Sequence, residues 1–309
     1  MDQKANPAQL PIASWHRNLL AAAAIFSVLL IAMGGILCVT QSIRSCPDWP
    51  GCFGKFYPPL ETSPILEYTH RALAMLSGLL ILGSAIAGLV RSRRQAWIVI
   101  PPLVTIILVI EVSFFGARAV LYGLAPGWAA VDVGSALLVV ALMITSALIA
   151  QAQKDRSLAP DNLSFRSPFA RLVLVCAGVT YLILLSGVLV SGQGSVTGCL
   201  GWPIYSLRQF QLDGHNPANT LRLILSLIDI LLILVVFVQA WRRKTKQPAI
   251  FRLTILFVAT FALEMLLQVL LLVFGLPIFI LVPYTVMAAV FWGLLMTLVV
   301  LTGLQDNRD

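Results

Sequence analysis

Eight long apolar runs follow one another along this chain, near 18–39, 69–90, 96–116, 128–151, 169–191, 220–241, 251–274 and 278–302, parted by short polar stretches. An α-helix needs about 20 such residues to cross roughly 30 Å of hydrocarbon, and each run is about that long or longer. The pattern predicts an all-α, polytopic membrane protein with eight transmembrane helices. The first run is preceded by Pro7, Pro11 and His16-Arg17, and no small-residue cleavage site follows it, so it reads as an anchor rather than a removable signal.

The order of residues repeats. Gly35-Ile-Leu-Cys-Val-Thr-Gln41 aligns with Gly187-Val-Leu-Val-Ser-Gly-Gln193, and after one inserted residue Cys46-Pro-Asp-Trp49-Pro50 meets Cys199-Leu-Gly-Trp202-Pro203. Further on, Thr69-His70-Arg71 faces Thr220-Leu221-Arg222, each near the start of a helix just after a loop. The halves read as parallel repeats of four helices, forming two pseudo-symmetric bundles with interiors able to hold a cofactor between facing helices. The expected division is a segment 1–17, an N-terminal repeat 18–151, a Lys, Arg, Asp, Ser and Pro-rich linker 152–168, a C-terminal repeat 169–302 and a tail 303–309.

Composition agrees: 59% of the 309 residues are hydrophobic, 11% are charged and mean hydropathy is +0.91, too little charge for a soluble surface of this size. Orientation follows from the basic residues. With the N-terminus inside, 15 of the 21 Lys and Arg fall on the cytoplasmic side, including Arg91, Arg93, Arg94, Arg242, Arg243, Lys244 and Lys246. The other six, Arg44, Lys55, Arg71, Arg118, Arg208 and Arg222, fall outside. Both termini are thus expected in the cytoplasm of a cell bounded by what reads as a bacterial plasma membrane. The net charge of +8 reflects this topology and contact with the lipid bilayer. Nucleic acid is not an expected partner, because the basic clusters are short loops between spans.

Ionisable groups are scarce, so their concentration between the first two spans is informative. Cys46-Pro-Asp-Trp-Pro-Gly-Cys52 is followed by Glu67-Tyr-Thr-His70-Arg71. Pro47, Pro50 and Gly51 favour a turn that brings Cys46 and Cys52 together, and an exterior location lets a disulfide persist. Cys38 and Cys176 lie within apolar runs and read as small buried hydrophobes. The acids Glu111, Asp229 and Glu264 sit inside spans, where they are expected to be hydrogen-bonded within a bundle, Asp229 through a polar contact two turns from Arg222, while Asp132, also within a span, reads as the mark of a site or a proton route. Arg71 and Arg222, at matching places in the two repeats, read either as snorkelling cations or as partners for carboxylate groups. His16 and His215 fall in polar flanks.

These features together resemble the haem A synthase family: eight helices in two repeats, a Cys-Pro-Asp-Trp-Pro-x-Cys loop, and a helix beginning with Glu67 and carrying His70 before Arg71. The resemblance spans essentially the whole chain and is most specific from Cys46 to Arg71. It implies oxidation of a methyl group of haem O to the formyl group of haem A for a terminal oxidase. It also implies a haem of the O or A type in the N-terminal half, held by paired histidines, and a haem b in the C-terminal half. Haem O is the implied substrate, with haem O synthase and oxidase assembly factors as implied partners. His70 matches the first iron ligand, Glu67 an acid able to orient the ring or move protons, and Arg71 with Arg222 contacts to haem propionates. The chain departs from the pattern at the other three ligands: Asp132, Leu221 and Tyr284 stand where histidines are expected, Tyr284 being able to ligate ferric iron as a phenolate. The chain has three histidines in all, so no register supplies four within the membrane.

Two other functions are compatible with these residues. One is a non-catalytic haem-binding or oxidase-assembly protein that kept the fold. The other is a quinone-linked thiol oxidoreductase using Cys46 and Cys52, for which a structural staple is the plainer role of the pair.

Overall fold

The computed structural model describes residues 12–153, 163–191, 199–202 and 217–305. His215, Arg208, residues 1–11, residues 154–162 of the expected linker and residues 306–309 lie outside these ranges. Eight helices are described: α1 Ser14–Val39, α2 Thr62–Arg91, α3 Ala96–Tyr122, α4 Pro126–Ala152, α5 Pro168–Ser191, α6 Pro217–Arg242, α7 Pro248–Phe274 and α8 Ile278–Gln305. All eight are long and apolar enough to cross a membrane, in line with an all-α polytopic membrane protein. Four of them open on proline, a residue whose fixed φ suits the first helical position and whose missing N–H is no loss there.

The largest difference from the apolar pattern is α2, which starts at Thr62 rather than near 69. Thr62, Ser63, Glu67 and Tyr68 precede the apolar run, yet they lie in helix because a polar loop rather than lipid covers this end. Helical geometry then places Glu67 and His70 three residues apart on neighbouring positions of one face.

Contacts close a ring in each half, α1–α2–α3–α4–α1 and α5–α6–α7–α8–α5. The halves meet where α1 and α4 pack on α8 and where α4 packs on α5. Small residues let these helices approach: a Cβ on Gly35 would lie 3.0 Å from Thr285 of α8. The Trp292 indole N–H of α8 donates to the Leu137 carbonyl of α4 at 3.0 Å. Side chains such as Leu79, Ile86, Ile107, Leu231 and Val269 stay exposed on the periphery, as lipid-facing positions should.

The structure corrects two sequence expectations here. Cys38 is not a lone buried thiol; it forms a disulfide with Cys199, linking the end of α1 to the segment after α5. His16 is not a polar flank: it lies in the first turn of α1 and is fully buried, with neither ring nitrogen hydrogen-bonded.

Candidate functional site

The Cys46–Cys52 disulfide forms as the turn residues suggested, and both sulfurs are buried. A tight reversal follows, with Cys52 and Lys55 exchanging backbone hydrogen bonds of 3.0 and 3.2 Å. Its two central residues, Phe53 and Gly54, both have positive φ, at 54° and 70°. Asp48 caps this turn: its carboxylate accepts from the Phe53 and Gly54 amides, each at 2.6 Å. These amide donors, Gly54 foremost, hold the Asp48 carboxyl below its ordinary range.

Two α2 side chains clasp the loop from below. Glu67 is buried and accepts from the Cys46 amide at 2.7 Å, while its other oxygen meets Arg71 at 2.5 Å. The Arg71 guanidinium also donates to the carbonyls of Asp48, at 2.8 Å, and of Gly51. A carboxylate that takes an amide and a guanidinium that takes carbonyls and the carboxylate satisfy every strong demand that burial makes of them. Both residues are therefore committed to holding the loop on the end of α2.

His70, one turn below Glu67, is different. Its ring turns toward α1, where a Cβ on Gly34 would lie 3.5 Å from Cε1, and its buried Nδ1 has no hydrogen-bond partner. Such an orphaned nitrogen is unusual for a buried polar atom and suits an imidazole that serves as a ligand. Asp132 lies on α4, at the opposite corner of the four-helix ring from α2. Counting from the helix starts, His70 is about 12 Å and Asp132 about 9 Å into the bundle, so the two stand at similar depth on facing helices. Asp132 Oδ1 is buried without a partner, and Glu111 is within electrostatic reach. Glu111 itself accepts from the Ser135 hydroxyl at 3.1 Å.

In the C-terminal half the corresponding positions do other things. Leu221 is 58% exposed and faces away from the bundle. Arg222 is buried and donates to the Gly201 carbonyl at 3.4 Å. Tyr284 is buried too, its hydroxyl donating to the Trp202 carbonyl. Glu264 accepts from the Trp202 amide at 3.4 Å. Asp229 bonds not toward Arg222 but to α5, accepting from Thr180 at 2.6 Å and from the Cys176 thiol at 3.4 Å.

Residues 17–296 match one family, that described as COX15-CtaA, cytochrome oxidase assembly protein. The chain belongs to this family. Among similar proteins, one from an Exiguobacterium species named "Heme A synthase" is 29% identical over 57% of this chain and 58% of its own length. Others of that name come from Alkalihalophilus pseudofirmus, 25% identical over 74% of this chain and 78% of its own, and from Staphylococcus saprophyticus, 27% identical over 77% and 82%. With the two Exiguobacterium relatives the match spans under two thirds of their length, 58% and 60%.

The residues of this COX15-CtaA chain fit a haem in one half better than in the other. The N-terminal bundle offers an imidazole with a free nitrogen and a carboxylate at the facing corner. The C-terminal bundle offers no histidine on any of its helices. Sequence reasoning missed Gly34, Asp48, Cys38 and the role of Glu264 as a loop clasp. Gly34-Gly35 in an otherwise aliphatic run is a signal for close packing, and five cysteines with only one evident pair is a signal for a second.

Proposed function

We propose that this protein binds a haem of the O or A type in its N-terminal bundle through His70 and serves haem A synthesis, oxidising a methyl group of haem O to the formyl group of haem A for a terminal oxidase. The observation that carries the reading is the buried, unpartnered Nδ1 of His70 beside Gly34, in a chain of the COX15-CtaA family. Haem O is the substrate in this proposal, supplied by a haem O synthase, and the product passes to an oxidase under assembly. The cysteine loop lies outside and both termini in the cytoplasm.

Within it, Glu67 and Arg71 are positioning residues: they fix the disulfide-closed loop on the end of α2, the helix that carries His70. Asp132, on the helix facing His70, would be the candidate second partner for the haem, and a carboxylate is a weaker partner for ferrous iron than imidazole. That substitution favours a second reading, in which the chain holds haem for oxidase assembly without converting it. Thiol exchange finds no support, because Cys46 and Cys52 are buried, Cys38 and Cys199 are paired, and the remaining Cys176 lies inside the bundle.

The test is a reduced-minus-oxidised spectrum of the purified protein, with pyridine haemochrome analysis, from a host that makes haem O. Pigment with formyl-shifted bands supports conversion, unconverted haem supports the assembly reading, and a colourless protein removes both.

A further inference from the structure

In the C-terminal half a loop segment packs into the helix bundle. The segment Cys199–Trp202 dips inward far enough for the Trp202 amide to reach Glu264, ten residues below the end of α7, or about 15 Å along that helix. Trp202 is 3% exposed and meets Phe261 edge-on at 5.0 Å. Phe261 packs on Phe291 at 5.6 Å, and Phe291 stacks on Phe257 at 4.8 Å. All four rings are buried, so an aromatic column descends between α7 and α8.

The segment that delivers Trp202 is held from four helices. Cys199 is disulfide-bonded to Cys38 of α1. Arg222 of α6 binds the Gly201 carbonyl, Tyr284 of α8 the Trp202 carbonyl, and Glu264 of α7 the Trp202 amide. The Tyr284 ring lies so close that a Cβ on Gly201 would sit 2.6 Å from it, and Gly201 also has φ of 151°. No other residue type fits there without moving the ring.

Two buried polar atoms at this place have no partner, Trp202 Nε1 and Glu264 Oε2. One is an indole N–H, which can only donate, and the other a carboxyl oxygen; neither is the neutral imidazole nitrogen that a haem iron takes. We infer that the C-terminal half is a closed bundle that takes no porphyrin: its interior is filled by Trp202, Phe261, Phe291 and Phe257, and the Cys199–Trp202 segment, bolted to α1, is its stopper. The chain is then a protein of a single haem site. This does not depend on His70 being the ligand in the other half.

The test is titration of purified wild-type protein and of H70A with ferric haem b in detergent, read at the Soret band. Saturation of the wild type at one equivalent, with none taken up by H70A, is expected. A second saturable equivalent in the wild type overturns the inference, whichever residue, His215 included, then serves as ligand. A wild type that takes up no haem leaves the C-terminal bundle closed as inferred and counts against His70 instead. Should H70A misfold, the wild-type stoichiometry alone decides. Peptide mapping without reductant adds an independent check: a Cys38–Cys199 linked peptide is expected, and free thiols at both positions would mean that the stopper is not anchored.

Discussion

Cys38, the last residue but one of α1, is bonded to Cys199, 161 positions later, so a covalent link joins the two four-helix halves at one end. A bridge that closes so long a loop removes much freedom from the unfolded chain. Replacing both residues with serine should lower stability by about 2–4 kcal/mol, measured as the unfolding midpoint in detergent. The wild type should lose more on adding reductant than the double variant, in which only the Cys46–Cys52 bond remains to be broken.

The loop clasp can be tested at Arg71. Arg71→Ala leaves the Glu67 carboxylate buried without its cation and frees the carbonyls of Asp48 and Gly51. Loss of one partner from such a buried pair costs about 3 kcal/mol. Hydrogen exchange across residues 46–55 should rise, and Arg71→Lys should recover only part of the protection because an ammonium lacks the guanidinium fork.

Much of the fold was legible in the sequence because membrane crossing imposes its own pattern. Eight apolar runs gave eight helices, and Pro47, Pro50 and Gly51 gave the Cys46–Cys52 turn. What escaped lies where partners are distant in sequence or where polarity hides inside a helix. The start of α2 was masked by Thr62, Ser63 and Pro64, which look like a loop until the covering segment is known. Cys38 read as a hydrophobe because its partner comes from the other half of the chain. Asp229 lies on the helix of Arg222, yet it faces Thr180 and Cys176 on α5, a choice set by helix rotation that no local pattern records.

Gly34 gives a graded test of the packing against the His70 ring. A Cβ there would make ordinary contact with the ring at 3.5 Å, so Gly34→Ala should be tolerated. Gly34→Leu should push the imidazole aside and reduce haem content several-fold, read from the absorbance of the purified protein, while leaving the helix content by circular dichroism unchanged.

Asp48 gives the pH dependence. Its carboxyl has a folded-state pKa held below the ordinary 3.8 by the amides of Gly54 and Phe53, so the stabilisation of the turn is complete above 3.8 and is lost as pH falls through the lowered folded value. Exchange protection of the Phe53 and Gly54 amides, corrected for intrinsic rates, should hold from neutral pH down to about 4 and fall below it. Asp48→Asn should show weaker protection with no such step.

The most direct measurement is haem content per chain in wild type and His70→Ala, each purified and shown to be monodisperse. One haem per wild-type chain and none in the variant is the expected result. Equal pigment in the two would contradict the assignment of His70 as the residue that holds the iron.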